Sequence, residues 1–544
     1  MAAARDTAAS PQAGGSGAIA PEDDPPRRAA ARDRVPWLIA LVVFAAYLTI
    51  SGYRLWRLDP TSWDLGVFTE YVKQFAHVRE PIVDVRGPGF NMLGDHFDPI
   101  VALIAPFFRL FPLPLTLLVA QVALAAVSVI PVSRAAAVKL GTGAGRAIGA
   151  AYGFSWGLQQ MVNYDFHEIA FAVPLLAFSL SALVCGRRRG AALWALPLVF
   201  VKEDQGFTVA AIGILMIILA RGQHQAEARS ERPESRGDHQ ADGEHTGRMD
   251  GEQSGRADKQ AGQPAARGWF GWGFLLIAWG LGWSFVTIEV IIPYFNAAHR
   301  YPYWSMGGVL SPGGHFSAGG AVGQLLASPS VKLPTLAMTL LVTAFLAIRS
   351  PIVLAAVPNL ALRFISTNSA YWGTAWHYSA PLMPIVFIAA IDAMARIRAA
   401  RARGRATPLG AAMERHGAAA MLAICAALAV QFPLSQLWTP QTYDIGRHIA
   451  AADAAMAKVP DGATVETDLD LLAPLAARTD TFWLGNGGNP ATQYVVFDTH
   501  STDWQPPPKY VRVFVDQRNP GAAYRQIFAD DGVYVFRRIS PPRA

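Results

Sequence analysis

Hydrophobic residues run through this chain in long, nearly unbroken stretches, not at alternate positions or along one helical face. Such stretches fall at 35–53, 112–133, 147–163, 169–185, 190–201, 206–220, 269–293, 331–348, 351–366, 378–395 and 416–434. A helix needs about 20 apolar residues to cross the hydrocarbon core of a bilayer. The pattern therefore predicts an α-helical polytopic membrane protein with about eleven transmembrane helices, several of them short.

The pattern changes after Trp438. "ATVETD" (463–468) and "QYVVFDT" (493–499) read as buried strands, and "YRQIFADDGVYVFRR" (524–538) reads as a hairpin turning at Asp531-Gly532. Residues 436–544 are thus expected as a small extracytoplasmic α/β domain, following a membrane domain over 35–435. The "DLD" at 468–470 has the form of the metal-binding carboxylate pair of soluble nucleotide-sugar enzymes, but a turn at a strand end accounts for it more simply.

Composition supports the membrane reading. Of 544 residues, 52% are hydrophobic and 16% charged, against about 25% charged in soluble domains. A net charge of +6, scattered along the chain, argues against a nucleic-acid partner. Cys185 and Cys425 both lie in apolar stretches and make neither a disulfide framework nor a thiolate metal site. Residues 1–34, rich in Ala, Pro and Arg, are expected as a disordered cytoplasmic tail. The first apolar stretch reads as an uncleaved anchor and not a secretory signal, because its leader is long and partly acidic. The insert at 221–268 has balanced charge and few aliphatic residues, and is expected as a disordered cytoplasmic linker. Its His224, His239 and His245 are more simply a solvated tract than a metal site.

Charge fixes the orientation. With the N-terminus cytoplasmic, Arg134, Lys139 and Arg146, then Arg187 to Arg189, Arg349, and the cluster from Arg396 to Arg415 all fall on the cytoplasmic side. The C-terminus then lies outside, and the protein belongs in the cell membrane with its polar loops facing the extracytoplasmic compartment. Those loops carry "SWDLGVFTEYV" (62–72), "GDHFDP" (94–99), "NYDFHEI" (163–169), "VKEDQG" (201–206), "AHRYPYW" (298–304) and "YWGTAWHYSAP" (371–381). An ionisable group near the hydrocarbon core costs roughly 2.5–3.5 kcal/mol, so such groups mark a cavity or pathway.

Simpler roles compete at several positions. Asp98-Pro99 has the form of a helix start, Asp165 and Glu168 have capping-box spacing, and Ser62 can cap a helix that Asp64 favours by charge. Capping leaves His96 and His167 unexplained. Lys202, Glu203 and Asp204 sit between apolar stretches too short for two full crossings, in a depression below the outer surface. Trp63, Trp304, Trp372, Trp376 and Tyr378 read individually as membrane-interface aromatics.

Taken together, "SWDLGVFTEYV", "GDHFDP", "DFHE", "KED" and "WHYSAP" resemble a bacterial family of multi-pass membrane proteins classed as domain of unknown function 2079. The resemblance covers roughly residues 40–435. That family is placed near the C-type glycosyltransferases, which use lipid-phosphate sugars. In the wider superfamily an acidic residue of the first outer loop lies at the catalytic centre, and Asp64 is the matching position. The paired acidic motif is absent, since Leu65 and Gly66 follow.

The resemblance implies transfer of a sugar from a polyprenyl-phosphate donor to a glycan, lipid or protein acceptor. Such transfer needs a carboxylate to take the hydroxyl proton and positive charge to steady the departing phosphate. Asp64 suits the first role; Lys202, Arg300 or a divalent ion suits the second. Asp95, His96, Asp98, His167, Glu168 and Glu203 are a ligand set for Mg²⁺ or Mn²⁺. Asp204, Trp376, His377 and Tyr378 are expected, with Lys202 and Arg300, to line the substrate site. Two other classes remain open: a transporter or channel for a polar solute or cation, and a non-catalytic lipid-binding scaffold.

Overall fold

The structure is a computed structural model whose described residues are Arg28, Ala30, 32–230, 251–303 and 318–539; the side chains of 223–230, 251–268 and 318 are not described. Most of the expected tail over 1–34, the middle of the 221–268 insert and Trp304 lie outside these residues.

Five of the eleven apolar stretches form helices long and apolar enough to cross a membrane: Val35–Trp56, Pro114–Leu140, Gln205–Gly222, Trp269–Phe295 and His377–Ala402. The other six are shorter, broken or, at Pro408–Ala429, charged in their first half. Helix α1 (Val35–Trp56) carries Pro36 in its first turn, where a missing N–H costs nothing. A short amphipathic helix, α2 (Asp64–Ala76), follows it. Helix α3 (Pro114–Leu140) also starts on a proline, and stops at Gly141, whose φ of 98° is open to glycine. The stretch expected as one helix over 147–163 breaks into Thr142–Gly153 and Trp156–Asn163. Side chains take up the carbonyls freed at the break: Ser155 Oγ donates to Tyr152 O (2.7 Å) and Gln159 Nε2 to Phe154 O (2.7 Å).

Helix α4 (Gln205–Ser230) packs on α5 (Gly251–Val286), so that both reach into the 221–268 insert. The two backbones meet through glycines seven residues apart, Gly206 against Gly280 and Gly213 against Gly273. A Cβ on either Gly206 or Gly280 would lie 2.2 Å from the other's carbonyl oxygen. Small residues at a helix crossing are what packing within a membrane favours. Helix α6 (Leu382–Ala402) is buried on every side from Leu382 to Ile391, the mark of a central helix.

Contacts sort the helix ends. At one end, Arg146 pairs with Asp33 (3.0 Å), Arg398 Nη1 donates to Lys139 O (3.3 Å) and Arg398 pairs with Glu414 (2.7 Å). The C-terminal end of α1 and the N-terminal ends of α3, α4 and α6 gather at the other.

The C-terminal domain packs on that second end. Helix α7 (Arg447–Met456) and helix α8 (Leu469–Ala476) pack on one face of a five-stranded sheet of order β2-β1-β3-β5-β4. The strands are β1 (Thr464–Thr467), β2 (Asp480–Trp483), β3 (Tyr494–Asp498), β4 (Tyr524–Asp530) and β5 (Val533–Arg538). Strands β2, β1 and β3 are parallel, with Val465 opposite Tyr494, and β5 joins β3 antiparallel, Val496 opposite Val535. The β4–β5 hairpin turns at Asp531 (φ 41°) and Gly532 (φ 82°), where Asp-Gly fits a turn with both φ positive.

Helix α2 holds this domain in place. Lys73 Nζ donates to the carbonyls of Ala476 (2.9 Å) and Thr479 (2.6 Å), a cation at the C-terminal end of α8. Asn486 Nδ2 donates to Val85 O (2.8 Å), and Trp63 packs on Trp483 at 4.8 Å. Trp63 is therefore an interdomain contact.

Candidate functional site

The polar loops gather at the end of the bundle beneath the C-terminal domain. Asp64, half-buried at the start of α2, accepts a hydrogen bond from Ser62 Oγ (2.8 Å) and lies 4.0 Å from His167 Nε2. His167 Nδ1 contacts Glu168, which is fully buried at the head of the helical segment Glu168–Val184. Lys202 Nζ donates to the other Glu168 oxygen at 3.0 Å. A row of carboxylate, imidazole, carboxylate and ammonium results, drawn from three separate loops. The His167 ring also stacks on His377, centroids 3.6 Å apart, and Tyr164 lies 5.0 Å from His377.

A second group adjoins it. His96 Nδ1 bonds Glu203 Oε1 (2.9 Å), and Tyr301 donates to the same oxygen (3.0 Å). Asp95 pairs with Arg86 (2.8 Å) and accepts from Tyr303 (2.9 Å), whose ring stacks on His96 at 4.5 Å. Ser284 Oγ donates to Glu203 O (2.6 Å), so the glycine-packed pair α4–α5 fixes the position of Glu203.

The simple capping roles are replaced by longer-range ones. A helical turn does begin at Pro99, yet the Asp98 carboxylate makes no cap; it accepts from Tyr71 OH at 3.0 Å. Asp165 does not cap the Glu168 turn either. Its carboxylate accepts from the amides of Thr61 (2.9 Å) and Ser62 (3.2 Å), and burial pushes it up to about 6. The N-cap of α2 is Trp63, although Ser62 Oγ does accept from the Asp64 amide at 3.0 Å.

The other sequence candidates sit at the margin. Asp204 accepts from Gln205 Nε2 (3.1 Å), Trp376 packs on Tyr164 at 4.7 Å, and Tyr378 lies 4.1 Å from His377. Trp372 donates to Ser366 O (2.8 Å) under the Lys332 ammonium. Arg300 is exposed on the loop after Phe295, next to Tyr301. Sequence reasoning did not single out Arg86, Tyr71, Tyr301, Tyr303 or Arg363. Arg363 is buried and donates to the carbonyls of Tyr371 (2.9 Å), Gly373 (3.0 Å) and Tyr378 (3.2 Å), shaping the loop that carries His377. Tyr301 and Tyr303 were present in "AHRYPYW" and Tyr71 in "SWDLGVFTEYV", with only their positions as a signal.

Asp95, His96, Asp98, His167, Glu168 and Glu203, the six residues expected to bind Mg²⁺ or Mn²⁺, are spread over the two groups just described and, for Asp98, the bond to Tyr71. Each carboxylate already has a protein partner, and among the described residues no three of the six bring ligand atoms within 4.8 Å of one another.

An apolar groove of about 690 Å³ runs down the outside of the bundle from this end. Leu103, Phe107, Phe111 and Val119 line it, with Phe171 at its margin. Its walls are the segment 103–113 and the first half of α3, and Phe171, three residues beyond Glu168, is the one lining residue from the Glu168 segment.

Fold and site together define a polytopic membrane protein with a buried ionisable cluster beneath a docked α/β domain. The chain belongs to the family described as "Predicted membrane protein (DUF2079)", whose model matches residues 54–535. Among solved structures, the crystal structure of ArnT from Cupriavidus metallidurans bound to undecaprenyl phosphate is similar over 91% of this chain and 97% of that one, at 12% identity and a TM-score of 0.48. No curated protein matches.

Proposed function

We propose that the protein transfers a sugar from a polyprenyl-phosphate donor to an extracytoplasmic acceptor. The observation that carries this reading is the apolar groove between the segment 103–113 and α3, which Phe171 joins three residues after the buried Glu168. A long isoprenoid chain fits such a groove, and its phosphate would then lie at the polar row. Lys202 has donors to spare beyond its bond to Glu168 and steadies the departing phosphate. Asp64 is the half-exposed carboxylate of the row and takes the proton of the acceptor hydroxyl. Trp376 and Tyr378 flank the sugar. The basic residues at the opposite end support a cytoplasmic position for that end and an outward-facing site in the cell membrane.

The test is depletion of a polyprenyl-phosphate sugar by purified protein in a lipid nanodisc. Asp64→Asn preserves shape but cannot accept the proton, and transfer is expected to fall at least ~10²-fold with donor binding little changed. No depletion by the parent protein across a panel of donors, with solute flux instead, would favour the transporter class. Equal transfer by both forms would remove Asp64 from the chemistry.

A further inference from the structure

The C-terminal sheet carries a group of side chains that the transfer reading does not use. Strands β1, β2 and β3 are parallel, and β2 and β3 lie on opposite sides of β1. The chain direction of lateral travel thus reverses between β1 and β3. In open α/β sheets, ligands bind in the crevice beyond the carboxyl ends of strands at such a point. Asp498 ends β3 at this crevice, His500 follows two residues later, and His448 reaches over from the first turn of α7.

From this arrangement we propose that His448, Asp498 and His500 form a binding site for a divalent transition metal, with Zn²⁺ the best match. One ligand atom from each lies within 4.8 Å of the others. His448 Nε2 is 2.7 Å from Asp498 Oδ2, and His500 Nδ1 is 3.5 Å from Asp498 Oδ1.

The hydrogen-bond pattern of His448 points to a cation. Its Nδ1 lies 3.0 Å from the carbonyl oxygen of Asp531, which can only accept, so Nδ1 carries the hydrogen. In a neutral ring, Nε2 then presents its lone pair to an Asp498 oxygen, and these two acceptors are reconciled either by a second proton on the ring or by a metal ion between them. A ligating histidine characteristically donates its second nitrogen to a carbonyl or carboxylate in this way. Asp498 is itself held in place: its amide donates to Asp468, whose second carboxylate oxygen is fully buried without a hydrogen-bond partner among the described residues. An ion at ~2.1 Å from each ligand would widen the His448–Asp498 contact to roughly 3.3 Å, a change the exposed His500 side chain can follow by turning. Two imidazoles and one carboxylate with a solvent-facing fourth position suit Zn²⁺ better than Mg²⁺ or Ca²⁺, which take oxygen ligands.

The experiment uses full-length protein in detergent, stripped with chelator and titrated with Co²⁺ as a spectroscopic stand-in for Zn²⁺. Wild type is expected to take up one equivalent giving a visible absorption band that Zn²⁺ displaces, and to melt at a higher temperature with Zn²⁺. His500 is exposed, so His500→Ala should fold normally while its affinity for this equivalent falls at least ~100-fold. Any uptake by His224, His239 and His245 would persist in that variant and is subtracted by it. An unaltered titration for His500→Ala, or wild type without a displaceable band or thermal shift, would overturn the site and leave His448–Asp498 as an ordinary ion pair.

Discussion

The imidazole of His167 stacks on that of His377 with centroids 3.6 Å apart and planes 24° apart, joining the early polar loops to the segment before α6. His377 is buried and its Nδ1 has no hydrogen-bond partner among the described residues. His377→Ala should lose about 0.5–1.5 kcal/mol of stability with the ring contact, whereas His377→Phe should retain it. Thermal unfolding in detergent separates the two. If His377→Phe folds well yet transfers no sugar, the nitrogen acts in the chemistry.

Lys202 and Glu168 form a buried pair at 3.0 Å. Lys202→Met leaves the buried Glu168 carboxylate with His167 as its one charged partner, at a cost of up to about 3–5 kcal/mol. Adding Glu168→Gln should restore much of the loss, because no buried charge is then left unpaired. Chemical unfolding of the single and double variants measures the coupling, and additive losses would mean that the pair contributes no interaction of its own.

The crossing of α4 and α5 allows no side chain at its centre. Gly280→Val places carbon atoms against the Gly206 carbonyl, 2.2 Å from the Cβ position, so the backbones must separate. The yield of folded protein should fall, with a stability loss of at least 1–3 kcal/mol, on the order of overpacking. Gly282, two residues away, has open space around it, and Gly282→Val is the matched control. Size-exclusion profiles of the two variants should differ sharply.

Burial pushes the Glu70 carboxyl from its ordinary 4.5 up to about 8, against the pull of Lys73 at 3.8 Å. The folded chain then keeps a proton that the unfolded chain gives up. This contribution is full below about pH 4.5, declines as pH rises towards 8 and is level above that, with a slope of up to about 1.4 kcal/mol per pH unit. Glu70→Gln should abolish that share of the slope. Melting temperatures of both forms between pH 5 and 9 check it; parallel curves would show that Glu70 ionises normally.

The sequence was most readable where a local rule decides the outcome. The hairpin at Asp531-Gly532 follows from which residues accept positive φ, and the buried strands around Val465 and Val495 follow from unbroken apolar runs bounded by polar turns. Strand β2 escaped because four residues, "DTFW", give no periodicity to detect. Asp98 and Asp165 show the opposite limit. Both match capping patterns, yet Tyr71 and the amides of Thr61 and Ser62 claim them, and nothing within a few residues announces those partners. Crossing helices were similarly legible as hydrophobic runs, while the break at Phe154 and Ser155 depends on side chains that recapture freed carbonyls. The polar row was visible as scattered motifs; its order required the fold.

Lys73 commits its ammonium to Ala476 and Thr479, residues made some four hundred positions later. Throughout synthesis the early loop therefore holds a lysine destined for burial with nothing to receive it. The C-terminal domain must fold against the same end of the bundle before α2 can settle, and with it Asp64. A chain that stalls or is clipped before residue 476 would carry every apolar helix and still lack the contact that seats its first polar loop.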